Sequence, residues 1–110
     1  MSSLSSIEQK AVAQFKREVL GVCGTDRPVL CLFGSRARGE GNEDSDVDVL
    51  VVLPREDEKR KIRIWDVAYH VFDKTGIQIA PFVLSKVQFE NLKSHERLIA
   101  REIERDGVTL

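Results

Sequence analysis

The chain has 110 residues, of which 42% are hydrophobic and 32% charged, and its net charge is −1. This length suits one domain, residues 1–110, with a single core. The near-zero charge gives no general attraction to nucleic acid or to an anionic membrane. No apolar run approaches the ~20 residues that span a bilayer, and residues 1–6 lack the regions of a signal peptide. We therefore expect a cytoplasmic protein without a membrane or nucleic-acid partner.

The first predicted element is a helix. Ser5 and Glu8 have the spacing of a capping box, in which each side chain bonds to the other residue's backbone. Apolar residues then recur at helical spacing, namely Ile7, Ala11, Phe15, Val19 and Val22. Gly21 or Gly24 is the expected stop.

Two strands are predicted on either side of a polar loop. Residues 28–33 form a short apolar run, and residues 46–53 are rich in valine and end before Pro54. The glycine-containing stretch 34–45 predicts a loop or a short helical turn. It holds no crossover helix, so a hairpin-like return is expected and a doubly wound parallel sheet is disfavoured.

A second helix is predicted from a cap at Asp57 to about Lys74, closed by Gly76. Its expected apolar face consists of Ile62, Trp65, Ala68, Tyr69 and Phe72. These aromatic residues are interpreted as core or interface packing, with base stacking as the weaker alternative. The basic residues Lys59, Arg60, Lys61 and Arg63 are expected at the solvated start of this helix, with an acidic partner as the minority alternative.

The remaining elements are a third strand over residues 77–84 and one last helix. Pro81 directs that strand to a sheet edge or a bulge. Ser85 and Gln88 form a second capping box, and apolar residues follow to about Asp106: Phe89, Leu92, Leu98, Ile99 and Ile103. Residues 108–110 add a short final strand. The expected fold is α+β, a mixed sheet with helices packed on one face.

Two carboxylates stand at the start of the second strand. Because strand side chains alternate, Asp46 and Asp48 project from one face, ~7 Å apart along the strand, while the intervening valines face the core. Magnesium prefers oxygen ligands and keeps some sites for water and phosphate. Without a cation, the repulsion between two such acids raises one pKa. The pair therefore predicts a metal site.

The loop before this pair has features of a phosphate site. Gly34 follows an apolar strand, and lacking Cβ it lets backbone approach a phosphate. Ser35 offers a hydroxyl and a backbone N–H. Arg36 and Arg38 are candidate phosphate ligands, although simple solvation is an equal alternative.

Two other ligand motifs are excluded by spacing. Residues 34–39 match the start of a phosphate-binding Walker A loop, but Glu40 stands where lysine is required. Residues 44–48 match the first ligands of an EF-hand, but Val49 replaces its glycine and Arg55 its bidentate glutamate. Likewise Cys23 and Cys31 form no Cys-x-x-Cys pair and are expected to be ordinary buried residues.

A family resemblance follows from the loop and the acid pair together. The pattern is similar to the signature of the minimal nucleotidyltransferases in the DNA polymerase beta-like superfamily: Gly34-Ser35-Arg36-Ala37-Arg38-Gly39-Glu40, then Ser45-Asp46-Val47-Asp48. The resemblance implies a mixed-sheet fold, nucleotide phosphates at Gly34 and Ser35, and Mg²⁺ on Asp46 and Asp48. It also implies transfer of a nucleoside monophosphate, AMP from ATP, to a hydroxyl. Many small members are antitoxins that bind, and can adenylylate on tyrosine, a HEPN-domain toxin encoded beside them.

One departure from the family pattern concerns the third acid that active members carry on a later strand. Gln78 occupies the expected position. Glutamine cannot take a proton, and a general base typically contributes 10²–10⁴-fold to the rate. Slow chemistry is therefore expected unless Glu40, Glu43, Asp44 or a partner residue substitutes. The alternative is a protein that neutralises its partner by contact alone; modification of a small molecule ranks last.

Overall fold

The chain forms four helices and four strands within the described residues. The computed structural model describes residues 4–34, 46–95 and 97–110, without the side chains of residues 97, 99, 100 and 106. The elements in chain order are α1 Ser6–Cys23, β1 Val29–Phe33, β2 Val47–Leu53, α2 Glu58–Thr75, β3 Ile79–Ser85, α3 Lys86–His95, α4 Arg97–Asp106 and β4 Val108–Thr109. None of the helices in these ranges is both long and apolar enough to cross a bilayer.

The strands form one mixed sheet in the order β3-β2-β1-β4. β1 is antiparallel to both β2 and β4, whereas β2 and β3 are parallel and are joined by the crossover helix α2. The predicted fold class is confirmed. β3 is an edge strand, as the presence of Pro81 predicted. Proline lacks the N–H that pairs with a neighbouring strand, so it is tolerated in a strand that has one unpaired side.

Side-chain caps fix the helix starts. The Ser5 hydroxyl accepts the Glu8 N–H at 3.2 Å, and Glu8 Oε1 accepts the Ser5 N–H at 2.8 Å. The Ser85 and Gln88 side chains repeat this exchange at 3.1 and 2.9 Å. Both predicted capping boxes are confirmed, and Gly24 is the cap that ends α1.

The core lies on both faces of the sheet. The larger cluster joins α1 and α2 to the sheet through residues that include Phe15, Val49 and Ile64. The two long helices thus share one face, but the expectation that all helices pack on one face is wrong. The C-terminal helices cover part of the other face, where Ile103 of α4 packs with a smaller set: Cys31, Phe33, Leu50 and Val52.

The buried face of α2 differs from the predicted one. The residues turned inward are Ile64, Val67, Ala68 and Val71. Of the predicted face only Ala68 is buried; the exposed fractions of the others are Ile62 61%, Trp65 37%, Tyr69 62% and Phe72 45%. Two sets of apolar residues repeat at helical spacing on this helix, and the smaller side chains allow the closer approach to the sheet and α1.

The observed orientation of α2 predicts that substitutions of its two isoleucines lower the free energy of unfolding by different amounts. Ile64→Ala should lower the free energy of unfolding by about 2–5 kcal/mol, because Ile64 is fully buried. Ile62→Ala should change it by less than about 0.5 kcal/mol. Urea unfolding of the two variants measures the difference, and equal losses would contradict the observed phase.

The C-terminal region also differs from expectation. The single helix predicted from Ser85 to about Asp106 is two helices, α3 and α4. Of the apolar residues named for that helix, Leu98 is 81% exposed and Ile103 is buried. The expected final strand pairs with β1 through Val108 and Thr109.

Arg60 is a structural residue and not part of a merely solvated run. Its guanidinium donates to Asp26 Oδ2 at 2.7 Å and to the Cys23 carbonyl at 3.2 Å. It thereby ties the start of α2 to the end of α1. The hydrogen bond from Arg60 lowers the pKa of Asp26.

Candidate functional site

The antiparallel register of β1 and β2 places Gly34 beside Asp48. Phe33, the last residue of β1, pairs with Asp48, so the chain leaves β1 next to this carboxylate. Gly34 has φ +80°, in the left-handed region that favours glycine. A Cβ at this position would collide with Asp48 Oδ2 and lie 3.3 Å from Cγ. Glycine is therefore favoured here, because any side chain would need a strained backbone and would displace the Asp48 carboxylate.

Asp48 projects from the sheet face expected from strand alternation, and Asp46 lies close enough for its charge to act on Asp48. Val47 and Val49 are fully buried in the larger core, whereas Asp48 is half-buried on the opposite face and Asp46 is exposed just before β2. Burial, and then the charge of Asp46, raise the pKa of Asp48. Ionisation of both carboxylates is therefore unfavourable in the folded protein, and a bound cation would offset their repulsion.

These donors fit a divalent cation of the magnesium type. Asp46 and Asp48 offer hard oxygen ligands, and the Asp48 carboxylate is partly desolvated and lies directly against Gly34. No group of three or more His, Cys, Asp or Glu side chains suited to a metal occurs among the described residues. Two carboxylates with free positions for phosphate oxygens match the way Mg²⁺ is usually bound.

The other predicted phosphate ligands lie outside the described residues. These are Ser35, Arg36 and Arg38, and the same holds for the acids proposed as substitutes for a base, Glu40, Glu43 and Asp44. Their contribution to the site stays a prediction. Cys23 and Cys31, by contrast, are buried free thiols as expected.

The parallel register of β2 and β3 shows what stands in place of a third acid. Ala80 pairs with Asp48, and extending the register by two residues places exposed Gln78 beside Asp46. The Gln78 carbonyl accepts the Val47 N–H at 3.0 Å. Sequence reasoning singled out Gln78 and missed Ala80, the residue directly beside Asp48. Neither side chain can take up a proton.

An aromatic pair on the same face was not foreseen either. Phe82 pairs with Leu50, two residues beyond Asp48, and its ring meets the Phe33 ring edge-on with 5.2 Å between centroids. Phe33 is buried and Phe82 is 44% exposed. The sequence predicts a strand for each residue, but only the register shows that both lie close to Asp48.

Comparison with known proteins shows the family of this chain. The model of the nucleotidyltransferase domain family matches residues 16–106. A "putative protein adenylyltransferase" of Methanocaldococcus jannaschii is 35% identical over 78 residues, which are 68% of this chain and 77% of the relative.

Two solved structures share the fold. A "putative minimal nucleotidyltransferase" superposes with a TM-score of 0.59 at 24% identity, over 98% of this chain and 99% of the other. A toxin–antitoxin structure with AMP-PNP gives 0.50 at 16% identity, over 86% and 70% of the two chains. The chain belongs to the nucleotidyltransferase domain family and is a transferase.

Proposed function

We propose that this protein transfers AMP from ATP to a hydroxyl of a protein partner, using Mg²⁺ held by Asp46 and Asp48. The observation that carries the proposal is the contact between the acid pair and the loop: the half-buried Asp48 carboxylate lies directly beside Gly34, where the loop begins. We further propose that the reaction occurs in the cytoplasm and that the partner is a HEPN-domain toxin, for which this chain is the antitoxin.

The relatives supply support for the finer points. The archaeal relative is named as a protein adenylyltransferase, which favours AMP as the transferred group and a protein as the acceptor. One structure with the same fold is a toxin–antitoxin pair with AMP-PNP, an ATP analogue. An antitoxin role and ATP as donor are consistent with both.

The described residues have distinct tasks in this mechanism. Asp46 and Asp48 would hold the cation, and Gly34, without a Cβ, lets the Asp48 carboxylate lie directly against the start of the loop. Ser35, Arg36 and Arg38 would bind the triphosphate. The acceptor oxygen attacks the α-phosphorus while the bond to pyrophosphate breaks, so positioning and charge stabilisation dominate the catalysis. Bound Mg²⁺ would neutralise charge on the phosphate oxygens.

The experiment is a transfer assay with ATP labelled at the α-phosphate, Mg²⁺ and the product of the neighbouring gene. Labelled partner protein is expected with the wild type, and none with Asp46→Asn/Asp48→Asn or with EDTA. Equal labelling by the double variant, or no labelling by the wild type under any of these conditions, would refute the enzymatic proposal.

A second candidate function is neutralisation of the partner by contact alone. It is favoured by the two neutral residues of β3, Gln78 and Ala80, beside the acid pair. The double asparagine variant decides this point as well. If it binds and neutralises the toxin as the wild type does, contact suffices and nucleotide transfer is secondary.

Restoring an acid on β3 is expected to speed the chemistry. Ala80→Asp places a carboxylate beside Asp48 and should raise the transfer rate at least about tenfold, since a general base typically contributes 10²–10⁴-fold. Gln78→Asp, beside Asp46, serves as the matched control and should have the smaller effect. Single-turnover rates test the order. A larger gain at residue 78 would place the missing acid there.

A further inference from the structure

A stripe of large apolar side chains runs along the exposed side of α2. Its members, called the α2 stripe below, are Ile62, Trp65, Tyr69 and Phe72, and all four are exposed. The rings of Trp65 and Tyr69 lie side by side, with centroids 6.1 Å apart. The core is filled by smaller residues of the same helix, so the aromatic residues stay in contact with water. Aromatic residues are enriched at protein–protein interfaces, and Trp and Tyr are frequent among those that dominate the binding energy.

The α2 stripe is turned away from α1, the other helix of its layer. His70, on the opposite flank of α2, lies 3.8 Å from Glu18 of α1. Arg60, on that same flank, donates to Asp26 just after α1. α1 therefore covers one flank of α2, and the stripe lies on the other. Among the described residues nothing closes over it, since each of its four side chains keeps more than a third of its surface exposed.

The spacing of the α2 stripe is that of a coiled-coil seam. Successive members are three, four and three residues apart, which are the a and d positions of a heptad repeat. When two such helices pack antiparallel, an a residue of one meets a d residue of the other. Ile62 of one copy then packs on Phe72 of the second, and Trp65 packs on Tyr69. Each contact occurs twice about a two-fold axis, so a second copy covers the whole stripe.

Charged residues beside the α2 stripe fit the antiparallel arrangement. Lys59 lies about one turn before Ile62, Asp73 directly follows Phe72, and both charged side chains are exposed on the same flank of the stripe. Antiparallel packing brings Lys59 of each copy beside Asp73 of the other, which gives two pairs of opposite charge. Parallel packing would place like charges together. Since charge complementarity across an interface sets the orientation of the partners, it selects the antiparallel dimer.

The area of the α2 stripe is sufficient for a weak dimer. A buried aromatic side chain covers roughly 150–250 Å², so the exposed parts of the four side chains offer roughly 400 Å² per copy. With the stems of the flanking charged residues, two copies bury roughly 1,000–1,200 Å² in total, at the lower limit of specific interfaces. We expect a Kd on the order of 10–100 μM. Well below that concentration the chain is a monomer, and its unfolding reports on one copy alone.

We propose that the α2 stripe is a docking surface for a second copy of this chain, which binds as an antiparallel dimer with two-fold symmetry. α2 packs on one face of the sheet, and Asp48 projects from the other. The dimer therefore leaves both acid pairs accessible and can present two sites to one partner. It neither requires nor blocks the proposed transfer of AMP, so the two proposals succeed or fail separately.

Sedimentation equilibrium measures the dimer directly. The average mass should rise from 12.5 kDa toward twice that value between about 1 and about 300 μM. Trp65 is the only tryptophan, so its fluorescence emission should move to shorter wavelength over the same range as the ring leaves water. Tyr69→Ala/Phe72→Ala should raise the Kd at least about 100-fold, because each residue is lost twice in a symmetric interface. Val87→Ala removes an equally exposed apolar side chain from α3 and should leave the Kd unchanged.

Charge exchange tests the orientation of the two copies. Lys59→Glu and Asp73→Lys each place like charges together and should raise the Kd about 3- to 10-fold. The double variant restores opposite charges in the antiparallel dimer and should return the Kd to within about twofold of the wild-type value. Asp66 lies on the same flank near the two-fold axis and faces its own copy, so Asp66→Asn should lower the Kd about 2- to 5-fold.

Three results would overturn the dimer. They are a mass of 12.5 kDa at every concentration, a Kd unchanged by Tyr69→Ala/Phe72→Ala, and a double charge variant as weak as the single variants. A chain that stays monomeric alone, yet loses binding to the product of the neighbouring gene in Tyr69→Ala/Phe72→Ala, would assign the α2 stripe to that protein and overturn the proposal as well.

Discussion

Asp48→Asn is expected to lower nucleotide transfer at least about 10²-fold, because a metal contributes several kcal/mol of charge stabilisation and each 1.36 kcal/mol is tenfold in rate. The same change should make the protein more stable at neutral pH when no metal is present. Burial and the Asp46 charge raise the pKa of Asp48, so the folded state carries a penalty whenever this group is ionised.

The sign of the pH dependence follows from the raised pKa. Folded Asp48 keeps its proton to a higher pH than unfolded Asp48, whose pKa is about 3.9. Its favourable contribution is complete below that ordinary value and is lost as pH rises through the raised folded value. The stability gain of Asp48→Asn should therefore be full at pH 7 and shrink as the pH falls toward 4.

Thermal unfolding with and without Mg²⁺ measures the stability gain of Asp48→Asn and the stabilisation of the wild type by the bound cation. Mg²⁺ should raise the Tm of the wild type, because a ligand that binds only the folded state stabilises it, and should have little effect on Asp48→Asn. Asp73→Asn removes an exposed carboxylate from α2 and is the control for loss of charge alone. A variant at residue 48 that is less stable than the wild type at pH 7 would contradict the electrostatic account of the site.

Gly34→Ala is expected to damage both stability and activity. An alanine at φ +80° costs roughly 1–2 kcal/mol of folding free energy. Its Cβ would also displace the Asp48 carboxylate, which it would otherwise strike. Since a misplacement of about 1 Å in a catalytic group can cost 10²-fold, transfer should fall by about that factor.

Gly24→Ala is the control for the cost of placing an alanine at positive φ. Gly24 has φ +62° at the end of α1, and a Cβ there meets nothing within 4 Å. It should lose similar stability and keep full activity. Urea unfolding gives the loss in free energy of unfolding, and the transfer assay gives the rate; both are run well below the Tm. Equal activity of the two alanine variants would show that the contact between Gly34 and Asp48 is unimportant.

Local patterns in the sequence correctly predicted where the glycine and the two acids lie relative to β1 and β2. The glycine that ends β1 and the acids that begin β2 each carry a pattern that can be recognised within a few residues. The alternation of Asp46 and Asp48 with buried valines follows from strand geometry alone. Caps at Ser5 and Ser85 are equally local, which is why both were predicted correctly.

Features that depend on contacts between distant residues could not be predicted in this way. On α2 two sets of apolar residues recur at helical spacing, and only the packing against α1 and the sheet shows that the set containing Ile64 is the buried one. Arg60 reaches Asp26, 34 positions earlier in the chain, and no periodicity marks such a pair. Ala80 and Phe82 acquire meaning only from the register between β2 and β3.

The pairing of β1 with β2 has a consequence for protein engineering. Five successive residue pairs, ending at Phe33 and Asp48, hold both ends of the connection in place from within the sheet. We therefore expect Gly34 to stay beside Asp48 when Ser35, Arg36 or Arg38 is substituted. The effect of each substitution on nucleotide transfer can then be assigned to that residue and not to a shift of the two strands.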